Sequence, residues 1–367
     1  MRVHGKLRRW ALVGAAGCAG LLCTALPVLA GPLNRALVDR DASWLVHVDA
    51  EAAQRSSLHA FMLRRLDESD KAKLEECRKR FGITPADIKG LTVYGFSVAE
   101  DGVAVITTTG KADELAVKLP TAGLEDFKTR VEGAVHYFSF KHEGQTFHAA
   151  VRPSGAPDER LVLIAGTAGA LEKGLKVAAG LAPSLSGEVQ ANNLLATAEP
   201  DRASIVFVVA RDMANDPQAK ANFLRNAKGV VVDIGETGEG AREVYANLTL
   251  TATNAKVAEE LRQTCQGMIA LGTMLARENK ADGIVESLQG VKVVLDGDKL
   301  SVTGREKSDA VLTKLERFIV EMEKSEKGAS IGIKRETRDA EEKDAPEAAN
   351  TAKGATKEPV GSPAPKP

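Results

Sequence analysis

Residues Leu91–Gly110 read LTVYGFSVAEDGVAVITTTG, two β-rich apolar runs on either side of Asp101-Gly102. An Asp-Gly dipeptide between such runs predicts a β-hairpin, because glycine reaches the positive φ that a tight turn needs. A second stretch of this kind, GVVVDIGETGEGAREVYANLTLTAT, covers residues 229–253 and also ends on threonines before a helical pattern. The sequence therefore predicts a duplicated unit built around a hairpin.

The elements around the first hairpin follow from apolar spacing. A β-run at residues 44–49 precedes it, and apolar residues recurring at three and four from Leu58 to Leu66 predict a helix. Charged residues continue this helical pattern to Arg80, and Gly82-Ile83-Thr84-Pro85 ends it, since proline cannot extend a helix. After the hairpin we expect a helix at 113–119, strands at 135–140, 146–151 and 161–165, and a helix at 168–179.

The same order returns in the second half. Residues 204–209 repeat the opening strand, Phe223-Leu224-Arg225 takes the place of Phe61-Met62-Leu63-Arg64, and residues 300–304 resemble residues 161–166. A long helix is predicted from Ala255 to Arg277. Its spacing puts six residues on one face, so this face is expected to cover a sheet or another helix: Val257, Leu261, Cys265, Met268, Gly272 and Leu275.

Each half thus reads strand, helix, hairpin, helix, strands, helix. We predict the α+β class, with two similar units, antiparallel sheets and helices packed on one face. The first unit is placed at residues 31–180, a Pro-, Ser- and Asn-rich linker at 181–201, and the second unit at 202–324. Residues 325–367 are rich in Lys, Glu, Ala and Pro and are predicted to be a disordered tail.

Residues 1–30 have the pattern of an export signal. Four basic residues precede an apolar run at residues 10–26, and Val28-Leu29-Ala30 offers the small residues that a signal peptidase reads. Two alternatives stay open: an uncleaved anchor, although the run is shorter than the ~20 residues that span a bilayer, and a lipoprotein signal ending at Cys18. The prediction is an exported protein, periplasmic or extracellular, that meets the membrane only if the segment is an uncleaved anchor.

Charge and cysteine content restrict the partners. Removal of residues 1–30 takes away four basic and no acidic side chains, so the formal net charge goes from −1 to −5. No basic stripe interleaved with aromatic residues is present, and nucleic acid is therefore not an expected partner. Cys77 and Cys265 remain, each at helical spacing among apolar residues, and are expected to be buried thiols. A bridge between them stays open, because sequence alone gives no Cα distance.

Several groups of polar residues are candidates for sites. His136, His142 and His148 flank a Glu-Gly turn, but metal-ligand spacing is missing. His47 and Asp49 share one face of the first strand, with no nucleophile motif nearby, and chance alternation is the better interpretation. Residues 166–169 form an incomplete phosphate-loop fingerprint, and residues 236–239 are read as a solvated acidic turn rather than a calcium loop. We predict no catalytic, cofactor or metal residues, no cofactor, and no enzymatic activity.

A resemblance supports the architecture. The patterns at residues 42–49 (ASWLVHVD), 81–85 (FGITP) and 87–95 (DIKGLTVYG) resemble a family of exported bacterial proteins without assigned function. These motifs are strand starts and a turn, and the family offers no catalytic residues. The expected function is a non-enzymatic binding or structural module of the cell envelope whose partner is a protein or another envelope component. The alternatives are a carrier or sensor of an apolar small ligand, held between a sheet and the helix at 255–277, and an enzyme with an unrecognised site.

Overall fold

In the computed structural model of the chain, the described residues are 32–97, 102–187, 194–195, 200, 203–212, 226–238, 242–278, 282–317 and 319–320. For Cys77 the structure describes the backbone and not the side chain. The predicted signal segment, the predicted tail and the proposed copy at Phe223-Leu224-Arg225 lie outside these residues. As far as Lys314, the described residues belong to one compact unit.

Both predicted hairpins are present. Strand β2 (Ile88–Gly95) pairs antiparallel with β3 (Val103–Thr109), with Tyr94 opposite Val103 next to the turn. Strand β9 (Ala227–Thr237) pairs in the same way with β10 (Glu243–Ala252). Gly95 allows the first hairpin to lie against Trp44, because a Cβ at residue 95 would lie 2.6 Å from the indole ring. The indole Nε1 of Trp44 donates to the carbonyl of Ser97 at 3.0 Å.

The described strands form one antiparallel sheet of twelve, in the order β11-β12-β10-β9-β8-β1-β2-β3-β7-β6-β5-β4. Strand β1 (Trp44–Asp49) and strand β8 (Ser204–Arg211) pair near its centre, with Val46 opposite Val208. The remaining strands of the sheet are β4 (Glu125–Glu132), β5 (Val135–His142), β6 (Gln145–Pro153), β7 (Glu159–Ala165), β11 (Lys292–Asp296) and β12 (Lys299–Lys307).

Strand order is the same on the two sides of the central pair. Outward from β1 come the hairpin β2–β3, then β7, then β6; outward from β8 come the hairpin β9–β10, then β12, then β11. The last strand of each half, β7 or β12, therefore pairs with the hairpin of that half. The strand that precedes it in sequence, β6 or β11, lies on its outer side. The first half continues with β5 and β4, which have no counterpart among the described strands of the second half.

The helices begin at side-chain caps. Asp49, Ser56, Asp67 and Thr167 each accept a hydrogen bond from a backbone N–H of the first helical turn, as N-cap residues do. Gly82, with φ +77°, ends the third helix in the left-handed conformation. The described helices are α1 (Ala50–Arg55), α2 (Ser57–Arg65), α3 (Glu68–Phe81), α4 (Asp113–Lys118), α5 (Ala168–Ala178), α6 (Ala255–Glu278) and α7 (Asp282–Gln289), followed by a helix at residues 308–317.

Helices cover both faces of the first half. Leu161 and Leu163 of β7 pack in one cluster with Leu171 of α5, whereas Val162 between them packs in another with Leu115 of α4. Because successive strand residues point to opposite faces, α4 and α5 lie on opposite sides of the sheet. The α+β class and the antiparallel sheet are confirmed. The expectation that all helices pack on one face is wrong in the first half, where α4 and α5 cover opposite faces.

Helix α6 lies on the same face as α4. Directly opposed residues on neighbouring strands point to the same face of a sheet. A continuous row of such residues crosses all twelve strands, one residue from each strand, so every residue of the row points to the same face. The row is Thr129, Phe138, Ala149, Ile164, Ala104, Val93, Val46, Val208, Val232, Leu248, Val302 and Val293. Phe138 and Ala149 belong to the cluster under α4, and Leu248 and Val302 to the cluster under α6.

The stretch at 181–201 contributes to the core where it is described. Leu185 is fully buried, its N–H donates to the carbonyl of Val38, and Leu194 and Leu195 lie in the same cluster as Tyr94. These leucines pack into the sheet that both halves share. The stretch has the polar composition of a linker, but three of its leucines are buried in the core.

Candidate functional site

The three histidines weighed as metal ligands are separated. His148 faces α5 together with Ala150, while His136 and His142 face the other side of the sheet together with Phe138. His136 and His142 are also six residues apart on one strand, about 20 Å along it. Among the residues that the structure describes, no group of three His, Cys, Asp or Glu side chains could hold a metal ion.

His47 and Asp49 are both buried, and each has its own structural contact. The Nδ1 atom of His47 lies 2.9 Å from the Thr92 hydroxyl, and Asp49 accepts from the N–H of Ala52 at 2.8 Å as the N-cap of α1. Burial raises the pKa of Asp49 to about 6, partly offset by the Ala52 N–H. The arrangement explains both residues as parts of the strand-to-helix junction.

The glycine-bearing turn at residues 166–169 is a helix cap. The hydroxyl of Thr167 accepts from the N–H of Ala170 at 3.3 Å, which satisfies one of the unpaired N–H groups at the start of α5. Thr167 therefore explains this turn as the capped start of α5, and no phosphate ligand is needed to explain it.

The reading of residues 236–239 as a solvated turn is wrong at Glu236. Its carboxylate is buried and accepts from both the N–H and the hydroxyl of Ser57, each at 2.6 Å, and from the hydroxyl of Ser308. Sequence reasoning missed this because acidic clusters are usually exposed, whereas the N–H groups at a helix start provide a buried carboxylate with donors.

Cys265 lies half-buried against the cluster under α6, where burial raises the pKa of its thiol. The thiol packs among apolar residues, as expected, but it is half-buried where the sequence predicts a buried one. The thiol is free in the part of the chain that the structure describes. The side chain of Cys77 lies outside that part, so a bridge to Cys265 stays the open alternative that it is in the sequence.

Helix α6 carries an exposed apolar surface. Its N-terminal half packs on the sheet through Ala258 and Leu261, as predicted. Its C-terminal half packs on α7, where Gly272 approaches Leu288 so closely that an added Cβ would lie 3.3 Å from it. The expectation that Met268 and Leu275 are covered is wrong, because this narrow contact leaves them outside.

Four large apolar side chains form what we call the outer stripe: Met268, Leu271, Met274 and Leu275. Met268 is 61% exposed and Leu271 is 54% exposed. Their spacing of three and four residues places them along one side of the helix. No charged residue occurs from residue 264 to residue 276. A helix segment that is apolar on the face towards the protein and also on the opposite face is normally covered on both faces.

The second candidate surface is a groove of about 780 Å³ in the first half, which we call the α5 groove. Residues 168, 171, 172, 175, 176 and 179 form its helical wall, a spacing that matches one helix face. The sheet side of the groove, which we call its floor, is formed by residues of β4, β5 and β6. Aligned across these strands are Arg130, Tyr137 and Ala150, with the Arg130 guanidinium carbon 4.3 Å from the Tyr137 ring centroid.

Cations exceed carboxylates around the α5 groove. Arg130 pairs with Glu132 at 3.0 Å, and Lys176 pairs with Glu172 at 2.9 Å. Arg152 donates instead to the backbone carbonyls of Pro153 and Leu175. These pairs use both acidic side chains of the lining, and the groove keeps two further cations, Arg152 and Lys128.

Comparisons with known proteins add no functional assignment. The chain matches no protein-family model and no curated protein. Among solved structures, crystal form III of TP0453 is similar with a TM-score of 0.42 and 12% identity, over 78% of this chain and 98% of that one. Crystal form I of TP0453 gives a TM-score of 0.39 and 10% identity, over 77% and 96%. At this distance the likeness carries no argument about function.

None of the described helices combines the length and the apolar character that a bilayer crossing needs.

Proposed function

We propose that the chain is an exported, non-enzymatic binding module of the cell envelope that contacts its partner through the outer stripe of α6. The observation that carries the proposal is the exposure of Met268, Leu271, Met274 and Leu275 on one side of a helix. Contiguous exposed apolar side chains are uncommon on monomeric proteins and mark contact surfaces. Methionine suits such a surface, because its unbranched side chain adapts to irregular partners.

Export rests on residues 1–30, with their basic start, apolar run and small residues before Gly31. Amino-terminal sequencing of protein isolated from its host is expected to find a start at or near Gly31. An intact Met1 on cytoplasmic protein would contradict export while leaving the surface argument untouched.

We also infer that the two halves arose as repeats of one unit. The support is the matching strand order on the two sides of the β1–β8 pair. Helices α4 and α6 follow the two hairpins and pack on the same face of the sheet through Leu115 and Leu261. On this account α6 is an elongated counterpart of α4, and the outer stripe belongs to the elongated part.

The outer stripe can be tested by polar substitution. Because Met268 and Leu271 are more than half exposed, Met268→Gln with Leu271→Gln should leave stability nearly unchanged. We expect the fraction of protein recovered with sedimented envelopes to fall at least fivefold. A matched control is Lys256→Gln with Glu260→Gln, which alters two exposed positions in the N-terminal half of the same helix. Equal envelope recovery of both double variants and the unsubstituted protein would contradict the proposal.

The alternative function, a carrier of a small apolar ligand, is favoured by a different observation, the α5 groove. Its volume falls in the range of about 300 to 1,000 Å³ that small-molecule sites occupy. The position that the sequence suggests for such a ligand, between the sheet and α6, is filled by Ala258 and Leu261, which pack on the sheet. Native mass spectrometry of protein purified from its host separates the functions, since a reproducible small-molecule adduct supports the carrier.

A further inference from the structure

We propose that the α5 groove binds a single-chain anionic amphiphile of the fatty-acid type. The site lies in the first half, on the opposite face of the sheet from α6. It is therefore separate from the outer stripe, and either assignment can fail without the other.

Apolar contacts suit the groove to an acyl chain. Leu171 and Leu175 of α5 form part of one wall, where they are 5% and 9% exposed, and the Tyr137 ring lies on the floor. Leu181 also lines the groove and is 80% exposed, so it offers an apolar side chain that no described residue covers. The wall from residue 168 to residue 179 is about 17 Å long at the rise of an α-helix, comparable with an extended fatty-acid chain.

The cations select a negatively charged head group. Two of the four, Arg130 and Lys176, are already paired with Glu132 and Glu172. Lys128 forms no salt bridge with any residue that the structure describes. Asp126 of the same strand is ion-paired with Lys141, and the charge of Lys128 acts on it only as a weaker, secondary influence. A carboxylate placed beside Lys128 would therefore gain a charge-assisted contact without breaking an existing pair.

Polar side chains lie next to Lys128 in the groove. Ser139 lies directly opposite Lys128 on β5, and His148 lies opposite Ser139 on β6. All three side chains line the groove, so a hydroxyl and an imidazole lie on the two strands next to the one that carries Lys128. This end is polar and cationic, whereas α5 contributes the apolar side chains of Ala168, Leu171, Leu175 and Ala179 beside its Glu172–Lys176 pair.

The test measures binding of oleate, below its micelle concentration, to the full mature chain by isothermal titration calorimetry. We expect Lys128→Glu to raise the Kd at least tenfold, since it replaces attraction by repulsion. The matched control Lys256→Glu makes the same charge change on an exposed residue of α6 and should leave the Kd unchanged. Oleyl alcohol, with the same chain and no charge, should bind at least tenfold more weakly than oleate.

A second measurement does not depend on the variants. Oleate should shift the NMR methyl signals of Leu171 and Leu175 in the unsubstituted protein and leave those of Met268 and Leu271 unaffected. Absence of oleate binding, equal binding of oleyl alcohol, an unchanged Kd for Lys128→Glu, or shifts confined to the outer stripe would each overturn the assignment. Binding of an acidic peptide in place of oleate would also overturn it, in favour of a protein partner.

Discussion

The Glu236 carboxylate of β9 accepts hydrogen bonds from the backbone N–H and the hydroxyl of Ser57, the first residue of α2, at 2.6 Å each. Ser57 belongs to the first half of the chain and Glu236 to the second. Ser308, which begins the helix after β12, donates its hydroxyl to the same carboxylate. One buried side chain therefore joins the starts of two helices from different halves, beside the β1–β8 pairing.

Glu236→Gln should destabilise the protein. The substitution removes the negative charge and turns one acceptor into an N–H donor that faces the donors of Ser57 and Ser308. We expect a loss of about 1 to 3 kcal/mol in the free energy of unfolding, because a buried donor is left unsatisfied. Urea denaturation measures this loss, with Glu260→Gln on the exposed face of α6 as the control, expected within about 0.5 kcal/mol. Equal stability of the two variants would show that the carboxylate contacts are not required.

The proposed repeat predicts equal roles for Leu115 and Leu261, which are 9% and 8% exposed. Truncation of either residue to alanine leaves a cavity under α4 or α6 and should cost about 2 to 5 kcal/mol. Alanine at the adjacent exposed residues, Glu114 and Glu260, should cost under about 0.5 kcal/mol. A strong effect at Leu261 with none at Leu115, measured in urea melts, would mean that the two helices do not correspond.

Asp49 predicts an unusual pH dependence. Its folded-state pKa of about 6 is raised above the usual 3.8, chiefly because burial disfavours the charged form. The folded state therefore binds the proton more tightly than the unfolded state. This group favours folding below pH 4, and its contribution is lost as the pH rises through 6. At pH 7 the buried carboxylate is charged and destabilising, although it caps α1.

Asp49→Asn should therefore be more stable than the unsubstituted protein at pH 7, by about 1 to 2 kcal/mol. Asparagine keeps the oxygen that accepts from Ala52 and does not ionise. The difference should shrink towards zero near pH 4, as followed by thermal melts across this range. Asp67→Asn is the control, since Asp67 caps α3 at an exposed helix start. A variant that is less stable at pH 7 would show that the cap needs the charge.

Much of the fold follows from the sequence because the apolar residues have a regular period. The opening strand is predicted at residues 44–49, which are the bounds of β1, and the helix predicted at 168–179 is one residue longer than α5. Strand β4 was missed because it is an edge strand with nearly every side chain exposed, so its sequence, EDFKTRVE, lacks the alternation of a half-buried strand.

The candidate surfaces were harder to predict. Helix α6 is apolar around much of its C-terminal half, and periodicity could not decide that Leu261 is buried while Met268 is exposed. The α5 groove joins Lys128, Tyr137 and Leu175, which belong to three separate elements. Their meeting depends on the pairing register of β4, β5 and β6 and on α5 lying opposite α4. A single sequence contains no direct signal for either.

The central claim, contact through the outer stripe, is tested most directly by a photo-crosslinking residue placed at Leu271 in the host. The control position is Gln266, which is exposed on another side of α6 beside Arg262. We predict a discrete crosslinked product from residue 271 that is absent from residue 266 and is lost when Met268→Gln and Met274→Gln are added. Equal crosslinking from both positions, or a product that persists in the substituted stripe, would contradict the account.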